Sequence, residues 1–331
     1  MNKMIEQLSL EEKQKLLWHA LTGLSLEEME ERELNGVVEL VVKNNLFNLL
    51  VVSETTFPEQ YLMTIDKISH AAFEGMLSTE KVKVQNSRKN KNLFAEVDLD
   101  FTNLPGVTIS RNLSWDDRIV HNAVVSLYVD GNKYITPLMI HRVMVGDSRA
   151  SMTEKQKDSI EKSIEILSSA RIRIDATAEM KAYGLDKAIY HGNLIYTKRM
   201  DVLHKGEKKE MIYVMEQPVL YDYAHNKKQI ANLLIKELKV PINRTKETRA
   251  LQEYLLYRIK AKGMSNIIRY DTIYEKLGIK EGTESSLRKK RNTIRKAAKR
   301  ILDDFVEKKM IKGYKENTGK HNEKISIQII K

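Results

Sequence analysis

The chain carries the same predicted order of secondary structure twice, and this repeat constrains its fold more than any other feature of the sequence. In each copy, three helix-like segments precede strand-like segments that are joined by a basic loop. The repeat lies in the order of elements, not in residue identity. The length of 331 residues is enough for about two domains of the usual size. The pattern therefore predicts an α+β protein that contains two similar modules.

The two modules are predicted at residues 111–245 and 246–331, and their element order is that of tandem winged-helix domains. In the first, Ser114 and Thr153 can cap helices, and Pro137 suits a first helical position. In the second, Gly278 can end the middle helix. Helices are predicted at 114–128, 136–144, 153–169, 245–261, 270–277 and 285–308. Strands are predicted at 171–175, 188–203, 210–217 and 325–330, and a further strand is predicted to begin within 309–314.

An N-terminal α/β extension is predicted over residues 1–110, and it is a candidate for oligomerisation or partner binding. Ser25 and Glu28 have the spacing of a capping box, which favours a helix. Alternating or β-branched runs indicate strands. The predicted elements are helices at 4–21, 25–34 and 58–77, and strands at 37–42, 46–52 and 93–101.

Charge is distributed unevenly along the chain, whose total net charge is +11. Residues 1–110 carry −6, residues 111–245 carry +5 and residues 246–331 carry +12. A module this basic attracts a polyanion, of which nucleic acid is the most common. A membrane surface, an acidic protein partner or a merely solvated surface are weaker alternatives.

The predicted helix at 285–308 is the strongest candidate for a DNA-binding element. Eight basic and no acidic residues lie between Arg288 and Arg300. Leu287, Ile294, Ala298, Ile301 and Phe305 form an apolar stripe, while Arg288, Arg291, Arg295 and Lys299 form another face. A major groove admits such a helix, and arginine can contact guanine through two hydrogen bonds. The candidate residues are Arg288, Lys289, Lys290, Arg291, Asn292, Thr293, Arg295, Lys296, Lys299 and Arg300.

Two basic loops are candidates for phosphate contacts. Lys315, Lys320 and Lys324 lie in or beside the predicted C-terminal wing, and Lys205, Lys208 and Lys209 lie in the hairpin loop of the first module. Gly313 and Gly319-Lys320-His321 resemble a phosphate loop, but the spacing and the residue after the lysine are wrong for one. We expect no cofactor.

The composition argues against most enzyme classes. The absence of cysteine excludes disulfides, zinc fingers and a thiol nucleophile. No two of the eight histidines are two residues apart, so the metal site of a DNA-nicking initiator is not evident. No run of 18 apolar residues predicts a membrane span. We therefore expect a cytoplasmic protein that is not an enzyme and has no catalytic or metal-binding residues.

Two stretches resemble plasmid replication initiators of the Rep_3-type family. Asn112–Tyr128 with Tyr134–Ile140 is similar to the start of their first winged helix, and Thr248–Ile330 is similar to their origin-binding winged helix. The resemblance implies sequence-specific binding of double-stranded DNA at repeated origin sites, strand opening without nicking, and recruitment of host replication initiator or helicase proteins. The DNA whose replication the protein initiates would be a plasmid or an integrated mobile element. A homodimer is one option for its oligomeric state.

Two other functions remain open. A transcriptional regulator could have the same fold and the same charge distribution. A DNA-nicking or recombination enzyme is the candidate from a different class, and it would have to use a site without the usual metal ligands.

Overall fold

The computed structural model describes residues 29–34, 37–42, 48–50, 57–73, 82–85, 94–100, 113–175, 177, 181, 184, 186–204, 207–242, 245–261, 263–279, 283–320 and 323–331. Within 29–50, 82–100 and 200–210 it describes the backbone alone. The chain forms two compact units, Met1–Thr56 and Phe57–Lys331. Helices and antiparallel sheets occur together, as the mixed class predicted. None of the helices in these ranges is long and apolar enough to cross a membrane.

The described part of the first unit is a three-stranded antiparallel sheet. Its strands are β1 (Met29–Leu34), β2 (Val37–Val42) and β3 (Asn48–Leu50), in that order. The helix predicted at 25–34 is wrong from Met29 onward, because that segment pairs with β2. The sequence between the two strands is Asn35-Gly36, a strong hairpin signal that outweighs the capping pattern. The helix predicted at 4–21 lies outside the described residues.

The second unit begins with residues 57–245, whose described part contains five α-helices and three antiparallel sheets. A helix was predicted at 58–77, but its first part is a strand that pairs with another strand far along the chain. The elements are β4 (Gln60–Thr64), α1 (Lys67–Ala72), β5 (Val82–Gln85), β6 (Phe94–Asp100), α2 (Trp115–Val129), β7 (Tyr134–Ile135), α3 (Pro137–Val145), α4 (Glu154–Ser169), β8 (Arg171–Asp175), β9 (Ile189–Asn193), β10 (Thr197–His204), β11 (Glu207–Val214), α5 (Val219–Asn226) and β12 (Ile230–Leu234). The sheets have the orders β5-β6-β8-β9, β10-β11-β7 and β12-β4.

The predicted helix starts of this region are confirmed by their caps. The Ser114 hydroxyl accepts from the amide of Asp117, whose carboxylate accepts from the amide of Ser114. The same reciprocal arrangement joins Thr153 and Gln156 at the start of α4. The strand predicted at 188–203 is divided between β9 and β10, which belong to different sheets.

Residues 246–331 complete the second unit with three helices and a three-stranded sheet. A short strand precedes the middle helix and was missed, because three residues are too few to show an alternating pattern. The elements are α6 (Lys246–Lys260), β13 (Ile267–Arg269), α7 (Tyr270–Lys276), α8 (Glu284–Glu307), β14 (Gly313–Thr318) and β15 (Lys324–Ile330). The sheet order is β13-β15-β14, and both pairings are antiparallel.

A buried polar cluster joins the two parts of the second unit. Arg118 on α2 is fully buried, with its guanidinium 4.9 Å from the ring centroids of both Trp115 and Tyr257. Its Nε lies 3.7 Å from Oε1 of Glu253 on α6. Glu253 also accepts hydrogen bonds from the Asn122 amide at 2.7 Å and the Tyr61 hydroxyl at 3.1 Å. Helices α2 and α6 therefore share one core, in which polar groups as well as apolar ones define the contact.

Candidate nucleic-acid interface

Helix α8 is anchored by the apolar stripe that its sequence predicted. Ile294, Ala298, Ile301 and Phe305 are all buried, and Leu287 packs partly buried against the same core. Ala297 and Leu302 widen the buried side. The opposite side is left to solvent, so the charge of this helix is presented from a fixed support.

The exposed side of α8 carries a continuous cationic surface. It consists of Arg288, Lys289, Lys296, Lys299 and Arg300, with Asn292 among them, and all six are exposed. At about 100° per residue they cover roughly 120° of the helix circumference, and at 1.5 Å per residue they extend for about 18 Å. Within the described residues, none of the five cations has a carboxylate at ion-pair distance. We call these six residues the basic face.

The basic face differs from the face predicted by sequence. Arg288, Arg291, Arg295 and Lys299 were expected to share the centre of the exposed surface. Leu302 lies two turns beyond Arg295 and is fully buried, so this side of the helix turns towards the protein. Arg295 is accordingly half-buried, whereas Lys289, Lys296 and Arg300, which were predicted to flank the surface, are all exposed within the basic face.

Two tyrosines of α7 hold the arginines at the edge of the basic face. The Arg295 Nε donates to the Tyr274 hydroxyl at 2.7 Å, and its Nη2 donates to the carbonyl oxygen of Lys324 at 3.3 Å. Its guanidinium also lies 5.3 Å from the Tyr270 ring centroid. The exposed Arg291 lies over the ring of Tyr274, with its Cζ 5.3 Å from the centroid, and the Arg295 Cζ lies 5.9 Å from the same centroid. Arg295 therefore links α7, α8 and the start of β15.

Thr293 and Lys290, the other predicted residues of α8, differ in the hydrogen-bonding capacity and the charge that they can offer to DNA. The Thr293 hydroxyl is exposed but donates to the carbonyl oxygen of Lys289 at 3.1 Å, so its oxygen can still accept. Lys290 is exposed near the start of α6. The pKa of Glu247 is lowered by hydrogen bonds from the backbone amide of Glu247 and from the side chain of Thr245. The positive charge of Lys290 lowers it further. Lys290 thus faces a carboxylate, unlike the cations of the basic face.

Strands β14 and β15 form the hairpin that was predicted as a wing. Lys315 on β14 and Lys320 in the turn are exposed. Lys324 instead lies 3.5 Å from a Glu316 carboxylate oxygen, and is therefore partly neutralised. Ile327 and Ile329 are buried, as an alternating strand requires, but Ile325 is exposed, because the register shifts between Asn317 and Thr318.

Phenol hydroxyls fix the hairpin to the helices. Tyr270 donates to Glu316 at 2.6 Å, and Tyr314 donates to Asp303 at 2.6 Å. Burial first, and then the adjacent carboxylate, raises the pKa of each phenol. Both phenols are protonated at neutral pH and act as donors, so Tyr314 joins the hairpin to α8 and Tyr270 joins it to α7.

The predicted site residues of the first module are only partly described. Lys205 lies outside the described residues. Lys208 and Lys209 were predicted in the hairpin loop but lie on β11, paired with Leu203 and Val202, and only their backbone is described. On α4, Lys157 pairs with Glu161 at 3.4 Å, in agreement with the mixed charge of that helix.

The contribution of the α7 tyrosines was missed at the level of sequence, although a signal existed. Tyr270 and Tyr274 are four residues apart, as are Arg291 and Arg295, so each pair shares one helix face. The contact between the two faces depends on how α7 packs against α8. A single sequence contains no such information.

Comparison with known proteins identifies similar structures but no family. No protein-family model matches the sequence, and no curated protein matches it. The chain is similar to domains 2 and 3 of RctB, at 16% identity and a TM-score of 0.43 over 80% of this chain and 95% of that one. It is also similar to the Pi initiator protein in a complex with iteron DNA, at 11% identity and a TM-score of 0.35 over 83% of this chain and 99% of that one.

Proposed function

We propose that the protein binds double-stranded DNA through the basic face of α8 and the hairpin of β14 and β15. The observation that carries the proposal is the set of five exposed cations on one side of a helix, anchored by a buried apolar stripe on the other. Exposed like charges repel one another, so their clustering is unfavourable unless an anion binds there. The width of a major groove fits one helix with this surface.

The proposed architecture is a tandem winged helix. Helices α6, α7 and α8, followed by the β14–β15 hairpin, supply the elements of the second copy. Helices α2, α3 and α4, with β8 and the long β10–β11 hairpin, supply those of the first. The separation of net charge favours the second copy as the main DNA contact, since residues 246–331 carry +12 and residues 111–245 carry +5.

The proposed biological role is initiation of replication at repeated origin sites of a plasmid or integrated mobile element. The sequence resemblance to Rep_3-type initiators supports this role, as does the absence of an evident catalytic constellation in the sequence. The protein would act without catalysis by opening the origin and recruiting host replication initiator or helicase proteins. A transcriptional regulator is the second candidate, because the basic face suits an operator equally well.

Footprinting on the DNA that flanks the gene separates these roles. An initiator protects several repeats of one sequence near its own gene, whereas a regulator protects an operator upstream of an operon. Absence of any protected sequence would contradict specific recognition. Incubation of supercoiled DNA with divalent metal tests the nicking alternative, and the proposal expects the DNA to remain covalently closed.

The hairpin lysines provide a separate prediction. Replacing Lys315 and Lys320 by glutamine should weaken binding to all duplexes alike, because exposed lysines on a hairpin contact phosphates rather than bases. The slope of log affinity against log salt should become shallower by about one for each lost contact. A salt titration measures this effect, with exposed Lys236 and Lys331 changed to glutamine as the control pair. A change in base preference at an unaltered slope would refute a phosphate role.

A further inference from the structure

The edge of the basic face has a feature that DNA binding by charge does not require. Arg291 is an exposed arginine that lies over an aromatic ring, with its Cζ 5.3 Å from the Tyr274 centroid. Tyr274 itself is 4% exposed and lies beneath the helix, not on the contact surface. A buried ring therefore lies directly under the exposed guanidinium of Arg291.

Tyr274 is held in place by its other contacts. Its ring stacks on that of Tyr270, with centroids 6.0 Å apart. Its hydroxyl accepts the Nε–H of Arg295 at 2.7 Å, and Arg295 is fixed in turn by the carbonyl oxygen of Lys324. The support under Arg291 is therefore tied to both α8 and the hairpin.

A cation–π contact with a ring changes what an arginine can recognise. A free arginine side chain samples many rotamers, and ordering it on binding costs entropy. A guanidinium held over an aromatic face keeps the N–H groups at its planar edge available, so less freedom is lost when two parallel hydrogen bonds form. The two acceptors that guanine presents in the major groove match this planar fork.

We infer that Tyr274 is a specificity-determining positioning residue, which orients Arg291 to read a guanine edge. The inference rests on the proposed function, since it assigns the base-reading role to one arginine within that interface. The cations of the basic face supply affinity for any duplex, and the Tyr274–Arg291 pair supplies discrimination between duplexes. Arg295 has a structural role, since its Nε and Nη2 donate to the Tyr274 hydroxyl and to the carbonyl oxygen of Lys324.

The test compares full-length variants on two duplexes of equal length, one carrying the footprinted site and one unrelated. Tyr274→Leu removes the ring, Tyr274→Phe keeps the ring but removes the hydroxyl, and Arg291→Lys keeps the charge but removes the planar fork. Tyr190→Phe is the control, because it removes a hydroxyl in the sheet of β8 and β9, away from α8. Thermal melting of each variant confirms that it is folded at the assay temperature.

Tyr274→Leu and Arg291→Lys should each lower the ratio of specific to unrelated affinity by at least about fivefold, the lower end for a bidentate arginine–base contact. Affinity for the unrelated duplex and its salt slope should stay unchanged. Tyr274→Phe should keep most of the ratio, and Tyr190→Phe all of it. In the Arg291→Lys background, Tyr274→Leu should have no further effect on the ratio.

Three results would overturn the inference. One is a folded Tyr274→Leu variant with the wild-type ratio, and another is equal loss on both duplexes. If Tyr274→Leu does not fold, an unchanged ratio for Arg291→Lys alone is sufficient, because the exposed Arg291 can be changed without disturbing the core. Wild-type protein that binds both duplexes equally would instead contradict sequence recognition in the proposed function itself.

Discussion

Replacing Glu253 by alanine is expected to lower the free energy of unfolding by about 3–5 kcal/mol, the usual cost of breaking a buried ion pair on one side. The Arg118 guanidinium is fully buried, and Glu253 is its carboxylate neighbour at 3.7 Å. The variant removes the carboxylate at ion-pair distance from that buried charge. It also removes the acceptor of the Tyr61 hydroxyl and the Asn122 amide.

Urea denaturation of the full chain measures this effect, and two further variants make it specific. Glu307→Ala removes an exposed carboxylate at the end of α8 and should change stability by no more than about 0.5 kcal/mol. The double variant Arg118→Met with Glu253→Leu removes both charges and should recover the part of the loss that comes from the unpaired arginine, because apolar residues can replace a buried pair. The Tyr61 hydroxyl and the Asn122 amide still lack their acceptor in this variant. A loss below about 1 kcal/mol for Glu253→Ala would show that the pair does not hold the two parts together.

Replacing Lys296, Lys299 and Arg300 by glutamine is expected to lower DNA affinity about 100-fold at physiological salt, with a reduction of the salt slope by nearly three. Each of these exposed cations can neutralise one phosphate and release its counter-ion. Their loss should affect specific and unrelated duplexes to the same extent, since phosphates carry no sequence information. Fluorescence anisotropy with a labelled duplex measures both quantities.

A matched variant separates this local effect from net charge. Lys187, Lys236 and Lys331 are also exposed and lie outside the basic face. Changing these three to glutamine lowers the net charge by the same amount, yet should reduce affinity only slightly through the long-range field. Equal losses of DNA affinity in the two triple variants would show that binding depends on the overall net charge and not on the basic face of α8.

Local signals predicted the helices between residues 114 and 169 and between 245 and 308 well, because the residues that start and anchor a helix are close together in sequence. Ser114 and Thr153 cap their helices as expected, and the stripe from Ile294 to Phe305 is buried. Each signal depends on spacing within a few turns. The identity of α8 as an anchored, cationic helix was therefore predictable.

Contacts between distant segments could not be predicted in this way. Gln60–Thr64 was wrongly predicted as part of a helix. Its strand could not be recognised from local sequence, because its pairing partner, β12, lies about half the chain away. The burial of Arg118 follows from Glu253 on another helix. Arg295 was expected to face DNA, but its position is decided by Tyr274 and by the backbone of Lys324.

The dependence of duplex binding on salt tests the central claim most directly. If the basic face and the hairpin together neutralise about six phosphates, log affinity of the full chain plotted against log salt should fall with a slope near −5. Anisotropy titrations between low and physiological salt give this slope without knowledge of the recognised sequence. A slope close to zero would contradict the proposal that α8 and the hairpin lie on the DNA backbone.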